Sequence, residues 1–424
     1  MIASNLISKK RDGKSLSKSE LSSFFNEYLN GDITDAQMSA MLMAIYFKGM
    51  SEDETFILVE IMLNSGSKID FSHTKRYVAD KHSTGGVGDK VSIILAPTLA
   101  CLGIKVPMIA GRGLGYTGGT IDKLESIPGF NTSPNLDQFK RWVNKCGYAI
   151  ISQTNEICPA DKKIYSLRSK TATIPSIPLI CGSIMSKKIA EGISGLVLDI
   201  KVGNGAFMKT KEQGAQLGKW LKNIGKAFSV STDVIYTSMN QPLGRFSGLA
   251  CEVQEAIDCL KGDGPDDLIK ITLELGAHIL VQSKIYSDKN SASNAFMEAI
   301  DSGKAFEKFQ QSVNIQGGSI DKLKTVPKYQ NILKARRDGL ITKIDTESAG
   351  WCLVQMGCVA QKLGDELDYS AGIEFYKKLG DIVNSDEPVA RIFGSNKRKI
   401  DNAEKFLKPV FTISSEYKPS PLIL

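Results

Sequence analysis

Long apolar runs are missing from this sequence. No segment reaches the length that a membrane span needs, and the opening stretch Met1-Ile-Ala-Ser-Asn-Leu-Ile-Ser-Lys-Lys-Arg11 has no apolar core of the kind a signal peptide carries. The expectation is a cytoplasmic protein without a membrane partner. Paired cysteines are missing too. The eight cysteines (Cys101, Cys146, Cys158, Cys181, Cys251, Cys259, Cys352 and Cys358) contain no C-x-x-C, and no histidine stands close enough to complete a zinc motif. Reduced, buried thiols are expected. Histidine is scarce, with His73, His82 and His278 the only three, so any imidazole chemistry rests on few residues. Clustered charge is absent as well: 53 Lys and Arg interleave with 46 Asp and Glu, and the net charge of +7 is spread along the chain. That pattern suits an anionic small substrate better than nucleic acid. There is no internal repeat or low-complexity tract, and 42% hydrophobic with 23% charged residues excludes the disordered and fibrous classes.

What is there is a chain of 424 residues, too long for one ordinary core, so two or three lobes are expected. Three capping boxes punctuate the N-terminal part: Ser17 with Glu20, Thr34 with Gln37, and Ser51 with Glu54. Each predicts a short amphipathic helix. Met38, Met41, Leu42 and Ile45 fall at helical spacing and form one apolar stripe, for a core or for a dimer interface.

From about Tyr77 the pattern becomes strand, glycine loop, helix. Tyr77-Val-Ala-Asp80 precedes Gly85-Gly-Val-Gly88 and a helix near Val91 to Leu102; Lys105-Val-Pro-Met-Ile109 precedes Gly111 to Gly119 and a helix from Thr120. Gly195-Leu-Val-Leu-Asp-Ile-Lys-Val202 precedes Gly203-Asn-Gly205 and a helix containing Leu217 and Trp220. A helical insertion occupies Cys158 to Glu191, and beyond Asp338 short strands return, as in Gly339–Asp345 and Leu379–Val383. The predicted class is α/β: a helical lobe, a larger α/β lobe with a mixed central sheet, and a C-terminal α+β lobe. The expected boundaries are 1–68 and 158–192 for the helical lobe, 69–157 and 193–335 for the α/β lobe, and 336–424 for the last.

The densest chemistry lies in Asp80-Lys-His-Ser-Thr-Gly-Gly-Val-Gly-Asp-Lys-Val-Ser92. Glycines let a backbone approach an anion, a helix N-terminus aims unpaired amides at it, and Lys81, Ser83 and Ser92 add a charge and hydroxyls. This predicts a phosphate cradle. It is not a Walker A loop, because Asp89 stands between the last glycine and Lys90, and Val91 separates that lysine from Ser92. Gly113-Leu-Gly-Tyr-Thr-Gly118 matches G-x-G-x-x-G, but the acid a dinucleotide site needs about 20 residues on is missing from Asn131-Thr-Ser-Pro-Asn135.

Read whole, Gly111-Arg-Gly-Leu-Gly-Tyr-Thr-Gly-Gly-Thr-Ile-Asp-Lys-Leu-Glu125 resembles the signature of thymidine and pyrimidine-nucleoside phosphorylases. Further stretches are similar: Leu167-Arg168 with Thr171-Ala-Thr, Ser176-Ile-Pro-Leu-Ile180, Ser183-Ile-Met-Ser-Lys187, Leu196-Val-Leu-Asp199, Gly205-Ala-Phe-Met-Lys209, Gln241-Pro-Leu-Gly244 and Leu367-Asp-Tyr-Ser370. The resemblance implies cleavage of thymidine by inorganic phosphate. Phosphate falls to Lys81, Ser83, Ser92, Ala110 and Thr120. The pyrimidine falls to Arg168, Ser183 and Lys187, lined by Tyr165, Leu114, Ile180 and Phe207, with Met108 facing the sugar. Ser183 and Lys187, four apart on a helix, share one face, and Arg168 offers a planar fork of donors. His82 would protonate the departing base, and Arg168 and Lys187 would stabilise its negative charge. A histidine satisfied by the backbone is the plainer reading of His82; His73 and His278 have no such context.

No cofactor is required by this chemistry. Some relatives hold a potassium ion, whose positions match Gly88, Leu243 and Glu255, with Lys90 close by and able to serve instead. A homodimer through the helical lobe is also implied, and no nucleic-acid partner. Met108 favours a 2′-deoxyribose, since a thioether is a poor partner for a ribose hydroxyl. Four positions depart from the family's pattern: Ala110 in place of Ser, Tyr116 in place of His, Ser169 in place of Asp, and Leu249 in place of Asn. They leave open a shifted nucleoside or nucleotide substrate, or a catalytically weakened nucleoside-binding homologue. Phosphoribosyl transfer of the anthranilate type shares the architecture but needs an acidic magnesium site, for which no sequence is evident.

Overall fold

The computed structural model describes residues 2–323, 326–360 and 365–424. Its elements begin with α1 (Ala3–Arg11), α2 (Lys18–Asn30), α3 (Asp35–Lys48), α4 (Glu52–Asn64), β1 (Ala79–Ser83), α5 (Val91–Cys101), β2 (Val106–Ala110) and α6 (Thr120–Leu124). They continue with α7 (Leu136–Cys146), β3 (Tyr148–Ser152), α8 (Pro159–Thr171), α9 (Ile177–Ala190), β4 (Gly195–Val202), α10 (Lys211–Ala227), β5 (Ser231–Ser238), β6 (Phe246–Gly248) and α11 (Ala250–Leu260). Helices α12 (Asp266–Gln282), α13 (Lys289–Asp301) and α14 (Lys304–Ile315) follow. The C-terminal region adds β7 (Tyr329–Lys334), β8 (Gly339–Ile344), α15 (Thr346–Met356), β9 (Gly372–Phe375), β10 (Ile382–Val383), β11 (Pro388–Gly394), α16 (Lys397–Leu407) and β12 (Phe411–Ser414). The chain divides into two compact units: Met1–Val78 with Gln153–Leu196 and Ala215–Thr232, and Ala79–Ser152 with Val197–Gly214 and Asp233–Leu424.

In the first, helical unit all three capping boxes form: the hydroxyls of Ser17, Thr34 and Ser51 accept from the amides of Glu20, Gln37 and Glu54, whose side chains take the cap amides in return. Each thereby satisfies donors that a bare helix start would leave unpaired. Met38, Met41, Leu42 and Ile45 are wholly buried among Phe24, Phe25 and Leu58, with Leu167 and Leu179 contributed by α8 and α9. The Met-rich stripe is therefore core. Glu54 does double duty: it accepts from Lys10 Nζ at 2.8 Å and from the Leu16 amide at 2.8 Å. Burial pushes its carboxyl up, but these donors and the Ser51 amide outweigh that and hold it below the ordinary range. Removing either partner of such a buried pair costs about 3–5 kcal/mol.

In the second, α/β unit, β2 and β3 pair in parallel from Val106 opposite Tyr148 to Ala110 opposite Ser152. A three-stranded sheet runs in the order β1-β4-β5, and Thr237 of β5 makes an antiparallel bridge to Ile423. Every residue of β4 is buried, Asp199 and Lys201 included, and those two charges pair with each other at 2.6 Å. Helix α5 is buried from Val91 to Ala100, hydrophobic on all sides, so it lies inside the unit rather than on its surface. The C-terminal region forms two sheets, β6-β9-β11-β7 and β10-β8-β12, with antiparallel pairings. Their core takes in Val87, Tyr116 and Leu249, so the glycine loops rest on C-terminal side chains of the same unit.

The strand expected at Tyr77–Asp80 runs instead from Ala79 to Ser83, because pairing continues past the apolar residues into the polar ones. The one expected at Leu379–Val383 shrinks to Ile382–Val383, since Gly380 takes φ +91° and turns the chain.

Candidate functional site

On the α/β unit the first glycine loop starts at the end of β1, where the two-residue period of the strand puts Lys81 and Ser83 on one face and His82 on the other. The Lys81 side chain is 1% exposed; its Nζ lies 3.8 Å from Asp89 Oδ1 and 3.5 Å from Ser92 Oγ, in the first turn of α5. Burial pulls the ammonium's pKa down, against the attraction of Asp89 and Asp199. Burial acts on the Asp89 carboxyl in the opposite sense, but Lys81, Lys201 and a hydrogen bond with Ser83 hold it far below the usual range. Further in, Thr237 Oγ1 donates to Asp199 at 2.6 Å while Lys201 Nζ donates to Thr237 Oγ1 at 3.0 Å. A cation kept this dry and backed by fixed charges is prepared for a second anion.

The second loop leaves β2, whose Met108 and Ala110 share a face; Met108 is 1% exposed. Asp122 organises the turn by accepting from the Gly113 amide at 2.6 Å and from Arg112 at 3.0 Å, while Leu114 and Thr117 bond each other's backbone. A side chain on Gly119 would collide with the Gly113 nitrogen, so only glycine fits. Thr120 is the first residue of α6. Lys123 joins the two loops: its Nζ donates to the Asp89 carbonyl at 2.7 Å and pairs with Glu252 at 2.6 Å. Beside Gly85, at φ +89°, lie Thr117 and Phe207. Lys81, Ser83, Ser92, Thr120, Leu114 and Phe207 thus belong to adjoining loops of one unit. Tyr116 packs on Phe207 and Trp351, with ring centres 5.7 and 5.8 Å apart, and its buried hydroxyl has no hydrogen-bond partner among the described residues.

The residues matched to a potassium ion are in the same unit. Lys90 Nζ donates to the carbonyls of Leu243 at 3.1 Å and Phe246 at 2.7 Å and to the Glu255 carboxylate, and its side chain is fully buried. An ammonium already sits on the oxygens that a monovalent ion would need. A second cation does not fit there.

On the helical unit, α8 and α9 each present one face. Asp161, Tyr165 and Arg168 are spaced by four and three residues on α8; Ile180, Ser183 and Lys187 by three and four on α9. Lys187 Nζ donates to Ser183 Oγ at 2.8 Å and to the buried Asp161 carboxylate, and it lies 5.7 Å from the centre of the Tyr165 ring. Burial pushes the Tyr165 phenol up to about 12. Arg168 is 2% exposed and donates to the carbonyls of Leu179 at 2.9 Å, Ile174 at 2.5 Å and Thr173 at 3.4 Å. Three of its five N–H groups therefore brace the α8–α9 connection. Both ends of α8 are strained, with Cys158 at φ 47° and Ala172 at φ 55°, a conformation that costs a non-glycine residue about 1–2 kcal/mol.

Sequence reasoning missed Asp161, Asp89, Lys123 and the Asp199–Lys201–Thr237 group. For Asp161 a signal existed, since it precedes Tyr165 by four residues and Arg168 by seven.

The glycosyl transferase family, a/b domain, matches residues 75–306, the helical bundle domain of the same family matches 4–66, and the pyrimidine nucleoside phosphorylase C-terminal domain matches 340–414. A pyrimidine-nucleoside phosphorylase of Staphylococcus haemolyticus (strain JCSC1435) is 43% identical over 424 residues, 99% of this chain and 98% of its own. One from Staphylococcus aureus (strain bovine RF122 / ET3-1) is 43% identical over 425 residues, with the same coverage. Among solved structures, anthranilate phosphoribosyltransferase from Thermus thermophilus superposes with a TM-score of 0.58 at 15% identity, over 74% of this chain and 99% of its own, a likeness of fold. No helix of the described residues is long and apolar enough to cross a membrane.

Proposed function

This chain belongs to the pyrimidine-nucleoside phosphorylase family, and on that premise we propose that it catalyses thymidine + phosphate = thymine + 2-deoxy-α-D-ribose 1-phosphate. Phosphate is held by Lys81, Ser83, Ser92 and Thr120 with the amides of the two glycine loops. One of its oxygens forms a bond to the anomeric carbon as the bond from that carbon to the base nitrogen breaks, and the electron pair passes into the pyrimidine ring. Arg168, Ser183 and Lys187 meet the charge that develops there, and His82 supplies the proton the leaving base takes up. The observation that carries the reading is the desolvated Lys81 ammonium beside Ser92 and behind a loop that only glycine can form.

Met108 supports the deoxyribose preference, because its thioether offers a 2′-hydroxyl no good partner. Turnover of thymidine against uridine measures this, and faster uridine cleavage overturns it. A second reading, a shifted nucleoside or nucleotide substrate, draws on Ala110 and Tyr116, where a hydroxyl and an imidazole are replaced. The protein acts in the cytoplasm as a homodimer through its helical unit; light scattering of the purified chain checks the dimer. The function itself is tested by incubation with thymidine with and without phosphate. Thymine released only with phosphate supports it; release without phosphate identifies a hydrolase, and no release favours a shifted substrate or a binding-only homologue.

A further inference from the structure

The loop from Pro242 to Phe246 turns its backbone polar groups onto four charged side chains of the α/β unit. Its carbonyls alternate between two ammonium groups. Those of Leu243 and Phe246 accept from Lys90 Nζ at 3.1 and 2.7 Å. Those of Pro242 and Gly244 accept from Lys378 Nζ, the latter at 2.7 Å. The amides go to the counter-charges: Arg245 and Phe246 donate to Glu255 Oε1 at 2.8 and 3.2 Å, and Gly244 donates to Asp267 Oδ2 at 3.3 Å. Each ammonium also touches its own carboxylate, Lys90 on Glu255 and Lys378 on Asp267 at 3.1 Å. Gly244, at φ +71°, has no room for a side chain, which would lie 2.6 Å from Glu255 Oε2 and 2.8 Å from Lys90 Nζ.

Carbonyl oxygens gathered round a positive charge, with a carboxylate to neutralise it, are the ligand set of a weakly hydrated monovalent cation. Here the cation is part of the chain. We propose that Lys90 and Lys378 are the resident cations of this loop, tethered in place of a free metal ion, so that the first glycine loop keeps its shape without potassium.

The link to that loop is backbone on backbone. Leu243 N donates to the Val87 carbonyl at 3.0 Å, and a side chain on Gly88, at φ +77°, would collide with the Leu243 carbonyl. Lys90 stands two residues beyond Gly88 at the N-cap position of α5, so the residue that gathers the Leu243 and Phe246 carbonyls is also the junction of the glycine loop with the helix. It is a positioning residue: it acts on phosphate through the backbone of Gly85–Gly88. An ion bound from solution stabilises more as its concentration rises, growing with the logarithm of concentration above its Kd, whereas a tethered ammonium stabilises at every salt concentration.

The first arm of the test needs no assumption about the reaction. The full chain is melted in potassium, sodium and tetramethylammonium chloride at equal ionic strength. One Tm in all three is expected; a rise specific to potassium overturns the proposal. The second arm uses Lys90→Ala, which opens the position. Its Tm falls, and potassium or ammonium restores it while tetramethylammonium does not. This arm's kinetic readout rests on the phosphorolysis reading: the KM for phosphate rises roughly tenfold with a smaller change in kcat, as loss of one charge-assisted contact predicts, and potassium reverses it. A folded Lys90→Ala protein indifferent to all three salts overturns the proposal. Should that variant not fold, Lys90→Met/Glu255→Gln removes both charges and is expected to fold with a Tm indifferent to potassium; a potassium-dependent Tm there contradicts the assignment.

Discussion

Lys187 of α9 is paired with Asp161 of α8, the ammonium 12% and the carboxylate 1% exposed. The carboxylate fixes where the ammonium sits, next to Ser183 and over Tyr165. Asp161→Asn keeps the volume and removes the charge that orients Lys187. The expected result is a loss of about 1.5–3 kcal/mol in transition-state stabilisation, on the order of ten- to a hundredfold in kcat/KM for the nucleoside. Steady-state kinetics check it, with the KM for phosphate unchanged.

Ala110 ends β2 beside the second glycine loop with no hydroxyl to offer. Ala110→Ser places one donor on the face shared with Met108. A hydrogen bond to a charged group is worth about 1.5–3 kcal/mol, so the KM for phosphate should fall on the order of tenfold or more. An unchanged KM for phosphate would mean that the β2 end does not reach the anion.

Lys81 gives a pH dependence whose sign follows from its burial. Because burial lowers the ammonium's pKa below that of an ordinary lysine, the charge is lost earlier as pH rises. Phosphate affinity should therefore decline with rising pH before ordinary lysines titrate. The profile of the KM for phosphate against pH reads this directly. Lys81→Arg, whose guanidinium stays charged, should remove the decline even if activity falls.

Tyr116 buries a hydroxyl that has no partner among the described residues, and burial drives its phenol well above the ordinary value. An unpaired buried hydroxyl costs about 1–3 kcal/mol. Tyr116→Phe should therefore leave thermal stability unchanged or raise it, with the contacts to Phe207 and Trp351 retained. A fall in Tm would show that the hydroxyl is satisfied in solution.

What the sequence made legible was what is encoded locally. Each capping box places both partners within three residues, so Ser17, Thr34 and Ser51 announced their helices, and the mostly apolar, Val- and Ile-rich run of β4, closed by Gly203, read as a strand. β3 went unread: Tyr148-Ala-Ile-Ile-Ser152 follows the helix-ending Gly147 directly, and so short an apolar run has no period to tell strand from helix. The polar end of β1 was lost for a related reason, since the hydrophobic pattern stops at Lys81-His-Ser83 while the strand pairing continues. The family's motifs pointed to Lys81, Ser92 and Lys187 but were silent on their counter-charges. The partners of Lys90 stand 153, 156 and 165 residues away, and no local pattern brings them together. The three carbonyls on Arg168 depend on a left-handed turn at Ala172 that composition does not demand.

The most direct test of the central claim follows the oxygen. Thymidine is incubated with the enzyme and phosphate labelled with ¹⁸O at every oxygen, and the products are read by ³¹P NMR and mass spectrometry. Attack by phosphate on the anomeric carbon predicts 2-deoxyribose 1-phosphate carrying the label in its bridging oxygen, formed in step with thymine. Free deoxyribose with all label left in inorganic phosphate would contradict the account.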